Sequence, residues 1–381
     1  MRRPIVALGA LAVVLFAAAA LWLLFAPGAF VKYPDDLNKT AVAKGTVTLY
    51  VDPATGAPAT SPTSLPLTIK RNLRVTASDG SKATVQETST EQIGPLAPQE
   101  LLQRYVIDRG SLENLADPQA YAYTESNVVD RSGAYSINLP FSTGDGPYRF
   151  WKNETGTTYA FSQAGDEIER EGLTLKPMTG RIVGAQATQA YIEQLAPQGI
   201  RSQMTFAQLA PQLKAQGVDP ALLTKLPAEL TAADRQALQA MIAAPVEIKY
   251  LISVDTRLLV EPTTGAIVSL DRIDQTMSAL PDLSRFTGLG TMLAKPEYAG
   301  SRIVRGALAA LKRLSPEPVP VLRLQYSQTP ESVADIAAYT EDKAQGIQLV
   351  QLWIPFGLTI FGLAASIAAF AVSRTRVKTA A

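Results

Sequence analysis

WIPFGLTIFGLAASIAAFAV, Trp353 to Val372, is the stretch that decides the architecture. These 20 apolar residues lie inside a run, Ala344 to Ser373, that carries no charge. A helix needs about 20 such residues to cross the hydrocarbon core of a bilayer. Arg374, Arg376 and Lys378 follow at once, and cations beside a span mark its cytoplasmic side. At the other end, Arg2 and Arg3 precede 22 uncharged residues, Ile5 to Ala26. A cleaved signal has an apolar region of only about 7–15 residues. A retained anchor is therefore expected, although Ala26 to Ala29 offers small residues to a peptidase. Trp22 and Trp353 stand near the outer ends of the two runs, where indoles suit the interface. The expectation is a two-pass plasma-membrane protein with both termini cytoplasmic and a large extracytoplasmic loop.

Charge separates along the chain. Five of the 35 basic residues lie outside the apolar runs, leaving 30 basic against all 34 acidic residues between them. A middle region slightly acidic overall is a poor nucleic-acid surface, and no nucleic acid is expected as a partner. The chain has neither cysteine nor histidine. The ectodomain must then stand on its own core without disulfides. Ser-His-Asp and Cys-His nucleophiles, histidine-ligated zinc and cysteine redox chemistry are all excluded by composition.

Between the anchors most of the chain reads as β. Lys44 to Asp52 alternates in polarity and runs into the turn Asp52-Pro53-Ala54-Thr55-Gly56. Leu65 to Ala77 and Lys82 to Ile93 flank Asp79-Gly80, the best short hairpin signal. Arg104 to Asp108, Tyr121 to Thr124 and Tyr135 to Leu139 are shorter candidates. Tyr148 to Lys152 and Thr157 to Phe161 flank Asn153 to Gly156; Leu173 to Leu175 and Arg181 to Val183 follow. Pro245 to Val260 and Ala266 to Ile273 flank Glu261-Pro262-Thr263-Thr264-Gly265. Its echo of the first turn is ordinary hairpin chemistry rather than duplication.

Residues 187 to 244 differ, being rich in Ala, Gln and Leu. Asp219-Pro220 suits a helix start, and Thr231 with Asp234 resembles a capping box opening a helix that Pro245 stops near Ala243. An amphipathic helix is expected from Ser301 to Leu314, then a strand from Val321 to Tyr326. Thr329-Pro330 opens a helix running through Ala344 into the membrane, with Gln345, Gln348 and Gln351 as one polar stripe. The expected fold class is α+β: two transmembrane helices flanking a largely antiparallel, barrel-like β ectodomain with a helical insertion. The expected segments are an anchor at 1–27, β-rich ectodomain at 28–186, the helical insertion at 187–244, the rest of the ectodomain at 245–345, the second span at 346–373 and a cytoplasmic tail at 374–381.

Chemistry-bearing motifs are few. No Gly-Lys pair exists for a phosphate loop, no G-x-S-x-G elbow occurs, and no EF-hand spacing is present. Asp166, Glu167, Glu169 and Glu171 suggest a carboxylate or divalent-ion site, but their interleaving with Ile168 and Arg170 suits a solvated edge. Arg302, Arg305, Lys312 and Arg313 on the amphipathic helix suggest a grip on anionic head groups; a packed helix with its cations in water explains them too. Tyr148, Phe150, Trp151, Tyr159 and Phe161 could line an apolar site or pack across a hairpin. Asn153-Glu154-Thr155 is formally a glycosylation sequon and carries no weight here. No catalytic, cofactor or metal residue is assigned, and the ligand-binding residues are unknown.

Several motifs in order carry a resemblance: FVKYPDD (Phe30 to Asp36), YVDPATG (Tyr50 to Gly56), Leu139-Pro140-Phe141 ahead of Tyr148-Arg149-Phe150, LVEPTTGAIV (Leu259 to Val268) and YTEDKAQGIQLVQLW (Tyr339 to Trp353). The chain resembles the actinobacterial two-span envelope proteins of the porin PorA family, whose ectodomain is classed as a domain of unknown function. The resemblance brings no catalytic residues with it. An outer-membrane barrel needs repeated alternating segments of about ten residues, whereas this chain has two apolar helices. Its topology is also similar to that of the animal scavenger receptor class B proteins, whose ectodomains handle lipid through an apolar passage, a likeness at the level of fold only.

The resulting expectation is a non-enzymatic cell-envelope protein that binds or passes lipid or another apolar molecule, without a cofactor. An oligomeric pore component and an extracytoplasmic scaffold are the alternatives. Membrane lipid, an apolar ligand and a second copy of the chain are the expected partners. Tyr148 to Phe161 and Ile248 to Val260 are the expected cavity walls, with Val254 as the position where a bulky residue blocks the passage. Gly362 and Ser366 are expected to share a small-residue face with Ala10, Ala17 and Ala20 of the first span.

Overall fold

A computed structural model describes residues 3–52, 58–215, 225–284, 286–313 and 317–378. The turn Pro53 to Gly56 and the helix start at Asp219-Pro220 lie outside the described residues. The chain opens with α1 (Arg3–Phe30), apolar after Arg3, as a span must be. Four antiparallel strands follow: β1 (Asn38–Val51), β2 (Pro58–Asp79), β3 (Lys82–Ile93) and β4 (Gln99–Asp108). The short β5 (Tyr121–Ala122) closes that edge. Next come the hairpin β6 (Tyr148–Lys152) and β7 (Thr157–Gln163), the short β8 (Ile168–Arg170) and β9 (Leu173–Gln186).

The helical insertion holds α2 (Gln189–Gln194), the two-residue β10 (Gln203–Met204), α3 (Phe206–Ala215) and α4 (Ala232–Ala243). Thr231 caps α4 by accepting from the Asp234 N–H, and the helix stops before Pro245 as expected. β11 (Val246–Val260) and β12 (Ile267–Pro281) form a long hairpin paired from Ile248–Pro281 to Val260–Ile267. α5 (Phe286–Leu293) and α6 (Arg302–Arg313) lead to β13 (Val319–Gln328). α7 (Pro330–Gln348), capped by Thr329, runs through a π-helical turn at Leu349–Trp353 into α8 (Ile354–Lys378).

All strands join one 13-stranded sheet whose main path is β5-β4-β3-β2-β1-β13-β12-β11-β9-β7-β6. The first and last strands meet in its centre, since β1 pairs with β13 over Ala43–Gln328 to Leu49–Leu322. That pairing brings the two anchors side by side. The sheet curls into an open half-barrel with side chains alternating between its faces. The helices of the insertion and α5–α6 lie across the half of the concave face away from the anchors. There Tyr250, Ile252, Leu238, Leu289 and Val304 share one core. The two helical segments are joined by Asp234, which accepts from Lys295 Nζ at 2.7 Å and from the Tyr298 hydroxyl at 2.6 Å.

Some expectations change. Tyr135 to Leu139 forms no strand: Tyr135 makes a single parallel bridge to Phe150, and the Leu139 N–H reaches the Gly265 carbonyl. The segment crosses over the hairpins, and a β-carbon at Gly265 would collide with the Leu139 backbone. Leu173 to Leu175 and Arg181 to Val183 belong to one continuous strand, β9. The sequence reading missed α5, whose FTGLGTML is a weak helix former held by burial of Phe286, Leu289 and Leu293.

The spans pack antiparallel, but not by the face anticipated. Ala12, Ala19 and Ala26 are buried, a seven-residue spacing suited to a paired helix, while Ala10, Ala17 and Ala20 are exposed. On α8, Gly362 faces the ring of Phe16, and the Ser366 hydroxyl donates to the Gly362 carbonyl at 2.9 Å within its own helix. Gly362 thus receives a large side chain rather than a small one.

Candidate functional site: a cavity inside the half-barrel

The half of the concave face nearer the anchors is not filled by helices. It encloses a cavity of about 850 Å³. The period-two alternation of the strands decides what lines it: Ile69, Arg71 and Leu73 from β2, Glu87, Ser89 and Glu91 from β3. Leu101, Gln103 and Tyr105 of β4 and Leu324, Tyr326 and Gln328 of β13 repeat the pattern. The mouth is built by chain entering and leaving the spans, with Phe30 and Val31 on one side and Gly346, Ile347 and Val350 on the other. The opposite end is closed by Tyr191 of α2 and by Tyr123, whose rings lie 5.7 Å apart.

The aromatic hairpin is one wall: Phe150, Tyr159 and Phe161 line the cavity and contact one another edge-on or tilted, at 4.9–6.2 Å. The other expected wall is corrected. Of β11 only Thr256 and Leu258 line the space; Tyr250 and Ile252 face the same way but are covered by the helical cap. Val254 packs with Ile182 and Ile273 and does not reach the cavity. The cavity is apolar over most of its wall but also carries polar and charged side chains.

A relay of polar groups crosses the cavity wall. Arg71 grips Glu87 with two bonds of 2.7 Å, and the Tyr105 hydroxyl donates to Glu87 at 2.9 Å. Asn153, at the tip of the β6–β7 hairpin, donates to the Tyr105 hydroxyl at 3.0 Å and accepts from Arg131 Nε at 3.0 Å. Arg131 is buried and also donates to the Gln103 side chain and to the carbonyls of Arg104 and Tyr121. A buried guanidinium is tolerated because its donors are so satisfied. Asn153, the sequon asparagine, is therefore engaged in internal bonds.

Further in, Lys152 Nζ meets Glu154 at 2.6 Å. Glu91 accepts no hydrogen bond from any described residue. Burial, reinforced by the charge of Glu154 and opposed by Lys152, pushes its carboxyl up to about 7. Burial also raises the Tyr123, Tyr191 and Tyr326 phenols, which stay neutral at any ordinary pH. The sequence did hold a signal for this chemistry. On β3 the face Ala83, Val85, Glu87, Ser89, Glu91, Ile93 places two carboxylates in an otherwise core-facing row.

The remaining candidates lie elsewhere. Asp166, Glu167, Glu169 and Glu171 are exposed; Glu169 accepts from Thr174 at 2.6 Å, and Glu167 stands 3.9 Å from Lys176. Among the described residues no group of three or more acids is placed to hold a metal ion. The basic helix α6 precedes Val319, which pairs with Ala279 far from the anchors, whereas Thr329 at the other end of β13 bonds Val42 beside α7. Its cations therefore do not face the membrane its own chain spans. Ile303, Val304, Ala307 and Leu308 pack into the core and Arg302, Arg305 and Lys312 are exposed.

Two apolar helices joined beneath a curled sheet set the type of the molecule, and a family profile described as Porin PorA matches residues 5–371. The chain belongs to the Porin PorA family. The match spans both membrane helices, the whole sheet and the helical cap, so the cavity lies within the family's shared region. This Porin PorA member is a membrane protein by the same token, with helices at Ala10–Phe30 and within Pro330–Val372 long and apolar enough to cross. Comparison with curated proteins returned no match.

Proposed function

We propose that this chain is a non-enzymatic envelope protein that takes lipid or another apolar molecule into its extracytoplasmic domain from the adjoining membrane. The observation that carries the reading is the position of the cavity. It opens between Phe30 and Ile347, where the chain leaves and re-enters the bilayer. Its volume of about 850 Å³ falls among ligand sites, which run from about 300 to 1,000 Å³, and far exceeds an ordinary packing defect. Leu73, Leu101, Ile137, Phe161, Leu258 and Ile273 supply apolar wall for a chain. The cations beside both spans support cytoplasmic termini in the plasma membrane, with residues 28–345 outside.

The test is mass spectrometry of lipid retained by the purified full-length protein, against Ser89→Trp. Ser89 is small, buried and lines the cavity, so the indole fills the space without touching the spans. The variant is expected to lose a lipid class that the wild type holds at about one per chain. Equal retention by both, leaving only the lipid held around the helices, overturns the reading and leaves a scaffold role. Strict dependence of function on a ring of copies would instead favour a pore component.

A further inference from the structure

Unpartnered buried polar atoms line this cavity at both ends, on Tyr33, Gln328, Tyr339 and Thr340 toward the mouth and on Gln275 and Tyr123 at the closed end, and the groups at the closed end bear on what enters. The inference rests on the lipid-handling reading above and asks which head group the site is built for. The two cations that line the cavity deep inside are each already matched. Arg71 is held by Glu87 at 2.7 Å and Lys152 by Glu154 at 2.6 Å. An anionic head entering here meets no unpaired cation and three carboxyl groups, those of Glu87, Glu91 and Glu154.

Other polar groups in the same space are unmatched. The hydroxyl of Tyr123 has no hydrogen-bond partner, the side-chain amide nitrogen of Gln275 has only a weak approach to the Tyr191 hydroxyl and no well-formed bond, and both residues are more than nine-tenths buried. Both line the cavity. Tyr123 is moreover held at a φ of 68°, a left-handed conformation that a bulky residue rarely adopts and that clusters at ligand sites. Beside them, the Glu91 carboxyl lacks any donor from the described residues.

An unmet buried donor costs free energy until an acceptor arrives, and an unmet acceptor until a donor does. Gln275 Nε2 requires an acceptor, which an ammonium head lacks. The Glu91 carboxyl, which can hold its proton, calls for a partner able both to donate to it and to accept from it, which an ester or ether oxygen alone is not. A hydroxyl is both. The tyrosine faces of Tyr123, Tyr191 and Tyr326 suit the apolar side of such a group and leave their own hydroxyls beside it. We infer that the closed end of this cavity recognises an amphiphile through an uncharged, hydroxyl-bearing head, a sugar or a glycerol, with its chain directed toward the mouth between Phe30 and Ile347.

The experiment uses the full-length protein in a non-ionic amphipol and four probes with the same twelve-carbon chain: dodecyl glucoside, monolauroylglycerol, dodecyl phosphate and dodecyltrimethylammonium. Binding is followed by native mass spectrometry below the micellar concentrations. One or both hydroxylated probes should bind at one per chain at least tenfold more tightly than the charged pair, and which of them leads separates sugar from glycerol. Gln275→Leu should remove most of that preference while leaving the weak binding of the charged probes unchanged. Tyr123→Phe, which deletes one oxygen from a folded ring, should lower it by a smaller factor and serves if Gln275→Leu does not fold. Equal binding of all four probes, tighter binding of a charged probe, or an unchanged preference in Tyr123→Phe and every Gln275→Leu preparation that folds overturns the head-group assignment while leaving the lipid-handling reading in place. Binding of none of the four overturns both.

Discussion

The indole Nε1 of Trp22 donates a 2.8 Å hydrogen bond to the main-chain carbonyl of Val350. The reason lies in the π-helical turn at Leu349–Trp353. The Ile354 N–H bonds back to Leu349 rather than to Val350, and the next residue, Pro355, has no N–H to give. The Val350 carbonyl is thus orphaned at the edge of the membrane, and the first span supplies its donor. Val350 also lines the cavity mouth, so this bond ties the two spans together at the entrance.

Trp22→Phe keeps the apolar ring and deletes that donor. It should lower the stability of the full-length protein by about 1 kcal/mol, the net worth of a typical hydrogen bond, here a part-buried one. Thermal unfolding in detergent measures it. Trp353→Phe, at a side chain 62% exposed, should change little.

The facing of Phe16 and Gly362 is open to a direct test, because the chain has no cysteine of its own. Phe16→Cys combined with Gly362→Cys should form an intramolecular disulfide under mild oxidation in membranes. Val13→Cys with Leu363→Cys, both exposed on the packed pair of helices, should not. Equal crosslinking of the two pairs would show that the spans are not packed by these faces.

Gly45 is the closest approach in the sheet. A β-carbon there would meet the Gln325 carbonyl and come within 2.6 Å of the Tyr326 Cα. Because β1 and β13 are the strands that join the chain's two ends, the backbone has little room to shift. Gly45→Ala should cost about 2 kcal/mol or more, above the typical effect of a single substitution. Denaturation of the purified variant would show it as a lowered midpoint.

Glu91 predicts a pH dependence. Its carboxyl titrates at about 7 in the folded protein against 4.5 ordinarily, with Glu154, Lys152 and Glu87 as its charged neighbours. Between those values the folded state holds a proton that the unfolded chain has lost. Stability should therefore fall as pH rises from about 4.5 to 7, by up to about 1.4 kcal/mol per unit. Above about 7 this contribution is flat. Glu91→Gln should abolish the slope in a comparison of melting temperatures; a slope identical to the wild type's would assign it to other groups.

Much of the architecture was legible because its signals are local. Twenty apolar residues from Trp353 to Val372 specify a span wherever they occur. Asp79-Gly80 and Glu154-Thr155-Gly156 sit in hairpins whatever surrounds them, and Thr231 caps its helix through a bond three residues long. What required the tertiary structure is everything set by which strand lies beside which. Arg71 and Glu87 are 16 residues apart, and Gln275 meets Glu91 and Tyr123 in one cavity only because β13 joins β1 and curls the sheet. Val254 and Leu258 share an alternating face in the sequence, yet one is packed and the other lines open space. Val254 is enclosed by Ile182 and Ile273 of the neighbouring strands, while the helical cap covers Tyr250 and Ile252 farther along the same face; a two-residue periodicity carries no record of either.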